Sequence, residues 1–239
     1  MAKAKGIEPL SLEASINKYS PFMMEIRKRL LFASSIFLIS GIIGFTYYEK
    51  IVRVVLELLN LQGVNIVFTS PFQFVNLAIS SALVVATVAT FPFILIQLLS
   101  FLEPALKKRE YKSILRLLPL GILLFGLGFY FGLMMMKYVV SLFTQKALEI
   151  NIGNFLDISK FLSTVLSTSV FMGIAFQYPI VLAVLAQLGI VKYETLKKQR
   201  VYAYTASIVF AALLPPTDIL SLALLTLPLV ILFETTLIL

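Results

Sequence analysis

The chain has 239 residues, of which 59% are apolar and only 13% charged, against roughly a quarter charged in soluble domains, so it reads as a membrane protein. Its formal net charge is +8, but the basic residues sit between apolar runs, where they report topology, and nucleic acid is not an expected partner. With no Cys and no His, thiol nucleophiles, imidazole bases and the common zinc and haem ligand sets are excluded, and neither a metal nor another cofactor is expected.

The opening MAKAKGIEPLSLEASINKYS is polar and of mixed charge, with no short apolar core before a small-residue cleavage site. It is therefore not a secretory signal peptide, and residues 1–29 are expected to remain as a cytoplasmic segment. Six apolar runs follow, at 30–48, 72–99, 114–136, 161–188, 201–215 and 219–239. A spanning helix needs about 20 such residues. The second and fourth runs are longer than that, and Pro92 and Pro179 are their expected bend points, since proline removes a backbone donor. The fifth, VYAYTASIVFAALLP, offers about 22 Å of helix before Pro215 and Pro216.

Lys and Arg counts set the orientation. The segments through Arg29, at 100–116 and at 190–200 hold fifteen, and those at 49–71, 137–160 and 215–218 hold five. The positive-inside rule then places both termini in the cytoplasm. The expected fold class is an all-α membrane protein, one domain spanning 1–239, with six transmembrane helices, N-in/C-in, the fifth and sixth short. Its cytoplasmic loops are 100–113 and 190–200, and its external loops 49–71, 137–160 and 215–218. No internal repeat is evident in the sequence, which weighs against a transporter built from two related halves.

Two acids face the same expected compartment. EIRKR places Glu25 before the first run, and KKRE places Glu110 before the third. Local chemistry offers each a structural role: Glu25 can pair with Arg29 at i+4, and Glu110 can cap a helix start. The functional alternative is that the carboxylates receive guanidinium groups of a partner, because arginine binds carboxylate through a planar fork. Within the fourth run, Ser167 and Gln177 each lie about 40° from Ser163 around a helix, a polar stripe suited to interhelical hydrogen bonds. Gly128 and Gly132 form a GxxxG pair, and Ser169 with Gly173 a second small-residue pair. Asp218 is placed to cap the sixth helix. Glu234, inside an apolar run, calls for the interface or a partner.

Taken together, EIRKRLL at 25–31, TSPFQF at 69–74, Pro92, FLEPALKKRE at 101–110, LLPPTDILS at 213–221 and LFE at 232–234 resemble the TatC family. These are the membrane-embedded receptors of the twin-arginine translocase. The resemblance covers about residue 20 to 239. It implies a non-enzymatic receptor in the cytoplasmic membrane that binds the twin-arginine signal peptides of folded precursors. TatA and TatB type single-span proteins, the lipid bilayer and further copies of the chain are the other implied partners. By position, Glu25 and Glu110 match the acids that read the arginines, with Arg27, Phe101 and Pro104 beside them. Val201, Tyr202, Tyr204, Pro216 and Asp218 are expected to dock single-span helices. The chain departs from the pattern at Gln177, where the family usually has Glu, and at Phe22 and Met23, where a His-Leu pair is common. It departs again at the turn Pro215, Pro216, Thr217, Asp218 and at Lys137 and Tyr138. The rival reading, a small-solute transporter or channel, would draw on Gln177, Ser163 and Ser167 as a polar path.

Overall fold

A computed structural model describes residues 9–59, 65–67, 70–103, 106–149, 155–215 and 218–238. Among the described residues, five helical segments are long and apolar enough to cross a membrane: Met23–Thr46, Gln73–Phe101, Glu110–Ala147, Ile158–Gln187 and Ile219–Leu237.

Helix α1 (Pro9–Thr46) runs through much of the expected N-terminal segment as well as the first apolar run. It lies along α3 (Gln73–Leu102), and Gly44 permits the approach. A Cβ on Gly44 would stand 2.8 Å from the Val85 Cβ and 3.0 Å from the Ala82 Cα. Between them α2 (Tyr48–Leu59) fills much of the region expected as an external loop. Its apolar residues recur at helical spacing, so Val55 and Leu59 are buried while Glu49, Lys50, Arg53 and Glu57 stay exposed. Charges in this stretch argue against a span but not against an amphipathic helix.

Helix α3 continues through Pro92, whereas the fourth run breaks near Pro179 as its missing donor predicts. α6 (Ile158–Ala175) ends there, Phe176 and Gln177 form the joint, and α7 (Tyr178–Gln187) resumes the path. α7 closes on Gly189 with φ +70°. There Gly189 N–H donates to Ala186 O and Ile190 N–H to Leu185 O, a Schellman end. Short α4 (Lys108–Leu115) precedes α5 (Leu117–Glu149), which reaches thirteen residues beyond the expected limit at 136. Lys137 marked that limit in the sequence, but its Nζ donates to Leu58 O at 3.2 Å, and the helix carries on with Val139 buried. The expected external loop at 137–160 is therefore largely helix.

A small parallel pair, β1 (Asn65–Val67) with β2 (Phe155–Asp157), adds strand to the expected all-α fold. Asp157 follows on as the cap of α6, accepting from Lys160 N–H at 3.0 Å and from Gln73 Nε2 at 2.6 Å. After α8 (Tyr193–Lys198), α9 (Arg200–Ala212) is short at 13 residues, as expected. α10 (Ile219–Ile238) has 20 and is not short, which corrects the expectation for the sixth helix. Pro228 lies inside it without ending it.

The tightest seam joins α5 to α6, where the two small-residue pairs meet. A Cβ on Gly128 would sit 2.6 Å from Met172 O, one on Gly132 2.6 Å from the Ser169 Cα, and one on Gly173 2.9 Å from the Phe125 ring. Helix backbones come this close in lipid only where side chains are absent. Gly132→Val should destabilise the bundle by about 1–3 kcal/mol through overpacking, read as a lower unfolding temperature in detergent. Gly126→Ala, whose Cβ meets nothing within 4 Å, should not.

Candidate functional site

Glu25 and Arg29 lie one helical turn apart on α1, and Arg29 Nη2 donates to Glu25 Oε1 at 2.5 Å. Arg29 also reaches across to α3. Its Nη1 donates to Gln97 O at 2.6 Å, and its Cζ stands 6.0 Å from the centre of the Phe101 ring. The Glu25 side chain remains 51% exposed and that of Arg29 25%, so the acid is the open partner of the pair. Arg27 is exposed and forms no ion pair among the described residues.

Glu110 lies at the same end of the bundle, since α4 follows directly after the end of α3. It takes the capping role: its Oε2 accepts from Lys107 N–H at 3.0 Å at the start of α4, the glutamate half of a capping box. Lys107 Nζ stands 4.0 Å from the other oxygen. Both local roles expected for the acids, the pair with Arg29 and the helix cap, are thus formed, and both acids remain reachable from outside. Pro104 lies outside the described residues.

The polar stripe of the fourth run does not act as a unit. Ser163 and Ser167 return their hydroxyls to carbonyls of their own helix, Ser159 O at 2.5 Å and Ser163 O at 2.7 Å, and line a cavity of about 330 Å³ with Ser80 and Thr87 of α3. Gln177, past the helix break, faces α5 instead and is buried. Its Nε2 donates to Gly121 O at 3.1 Å, while Oε1 has no hydrogen-bond partner among the described residues. It lines two other, mainly apolar cavities of about 220 and 380 Å³.

On α9, Val201 and Tyr202 are among the most exposed apolar side chains, 71% and 75%, consistent with a face open to lipid or a partner. Tyr204 turns the other way. Its hydroxyl donates to Glu234 Oε1 at 2.5 Å, and Arg200 Nη2 stands 3.1 Å from Glu234 Oε2. The intramembrane acid thus has two partners on the neighbouring helix, which thirty residues of separation concealed in the sequence. Asp218 caps α10, accepting from Ser221 N–H at 2.8 Å and from its hydroxyl at 2.5 Å. Thr168 Oγ1 donates to Pro215 O at 2.5 Å and fastens this turn to α6. Pro216 lies outside the described residues. Glu234→Ala should loosen α10 from α9 at a cost of about 1–2 kcal/mol, the pair being partly exposed. Glu234→Gln, which keeps an acceptor for Tyr204, should cost less in the same thermal unfolding assay.

Residues 21–228 match the family model described as Sec-independent protein translocase protein (TatC). TatCy of Bacillus subtilis is 33% identical over 216 residues, 88% of this chain and 83% of that protein. The TatC protein of Aquifex aeolicus is 32% identical over 220 residues, 89% and 90%. A crystal structure of the twin-arginine translocase receptor TatC in DDM superposes with a TM-score of 0.81 at 29% identity, covering 90% of this chain and 97% of that one. With its several membrane-crossing helices, this chain belongs to the TatC family of Sec-independent protein translocase proteins.

Proposed function

We propose that the chain is the receptor subunit of a twin-arginine translocase, binding signal peptides of folded precursors through their paired arginines. Glu25 and Glu110 receive the guanidinium groups, with Phe101, Pro104 and Arg27 shaping the surface around them. The observation that carries this reading is the placement of two reachable carboxylates, on α1 and α4, at one end of the bundle. A carboxylate presents two oxygens to the two parallel N–H donors of arginine, a match that an ammonium group cannot make.

The fifteen-to-five distribution of basic residues supports placing this end in the cytoplasm, with both termini there, in the cytoplasmic membrane. Six spans then include α9, whose 13 residues reach about 20 Å and require local thinning of the bilayer. That thin edge, with Val201 and Tyr202 outward, is the proposed contact for TatA and TatB type helices. Further copies of the chain are proposed as additional partners. Ser163 and Ser167 donate their hydroxyls to carbonyls of their own helix, a local role that a structural serine in a helix commonly takes.

Glu25→Gln and Glu110→Gln should each weaken binding of a fluorescent twin-arginine peptide to the protein in nanodiscs about tenfold. The double variant should lose binding while keeping its unfolding temperature. Wild-type affinity in the double variant would remove the assigned site. Replacing both peptide arginines by lysine should weaken binding to the wild type.

A further inference from the structure

We propose that Glu25, the Gln97 carbonyl and the Phe101 ring form a guanidinium subsite that is filled in the free protein by the chain's own Arg29. An incoming arginine takes over that subsite by displacing Arg29. The inference rests on the receptor reading above and adds the occupant of its acid.

The three contacts to Arg29 are of the three kinds that a guanidinium accepts: a carboxylate at 2.5 Å, a backbone carbonyl at 2.6 Å and an aromatic ring centred 6.0 Å away. They come from two helices, with Arg29 and Gln97 separated by 68 residues. A simple i,i+4 pair on α1 needs only Glu25. The additional carbonyl and ring complete a cradle, and its carboxylate wall is the more exposed part, 51% against 25% for Arg29. Exposed ion pairs are weak, so the occupant can be exchanged. Arg27, exposed and outside any ion pair among the described residues, is not the occupant.

An internal occupant has a defined effect on affinity. Only the fraction of molecules with Arg29 swung away is competent, so the apparent dissociation constant of every peptide using the cradle rises by the same factor. Arg29 therefore sets a threshold: it leaves the preference for arginine over lysine intact and suppresses occupancy by weakly basic sequences.

The test uses the full chain in nanodiscs and fluorescent peptides carrying either paired arginines or paired lysines. Arg29→Gln should tighten both by a similar factor, about fivefold, the worth of a strong exposed pair. Arg29→Lys, which keeps the charge without the fork, should tighten them less. In Glu25→Gln/Arg29→Gln the gain should vanish, because the two changes act on one contact. If Arg29→Gln and Arg29→Lys bind as wild type or more weakly while Glu25→Gln weakens binding, Arg29 is a structural strut and the displacement idea is wrong. If Glu25→Gln itself leaves binding unchanged, the receptor site is misplaced, and the subsite falls with it.

Discussion

A chain surrounded by hydrocarbon must satisfy its backbone within its own helices and must pair the polar side chains that it carries into lipid. That constraint organises this protein. Ser163, Ser167 and Ser169 bond to their own helix, Thr168 to the Pro215 carbonyl, Gln177 to Gly121, and Glu234 to Arg200 and Tyr204. Most of these polar groups are given a structural partner, whereas the Ser81 and Thr90 hydroxyls and Gln177 Oε1 are buried without one among the described residues; the exposed carboxylates lie at the ends of the bundle. Glu25 and Glu110 sit there, each in a solvent-exposed contact with a neighbour, Arg29 or Lys107.

Close packing does the remaining work of positioning. Absent side chains at Gly128, Gly132 and Gly173 bring α5 and α6 together, and Gly44 does the same for α1 on α3. The second seam matters for the site, because α1 carries Glu25 and α3 ends at the Phe101 region. Arg29 bridges that seam, so the same contact that aligns the two helices also shapes the acid's surroundings. Arg200, Tyr204 and Glu234 perform a comparable service between α9 and α10, keeping the short helix attached while Val201 and Tyr202 face outward.

Much of this was legible in the sequence wherever one local rule dominates. Long apolar runs marked the five helices long enough to cross a membrane among the described residues, Pro179 the break in the fourth run, Asp218 the cap of α10, and the glycine pairs the α5–α6 seam. Spacing also announced the Glu25–Arg29 pair and the role of Glu110 as a helix cap. Two kinds of feature escaped. Helices that carry charge, α2 and the far end of α5, read as loops in the sequence because charge argues against spanning and says nothing against helicity. Contacts between residues far apart in the chain, such as Arg29 with Gln97 or Glu234 with Arg200, have no local signature, and the polar stripe of the fourth run failed because the helix breaks within it.

Direct mapping of a bound peptide tests the central claim most sharply. A twin-arginine peptide with a photoreactive group beside its arginines, irradiated on the protein in nanodiscs and analysed by mass spectrometry, should label residues 25–29 and 97–110. Labelling confined to α2 at the opposite end, or to the outward face of α9, would contradict the account.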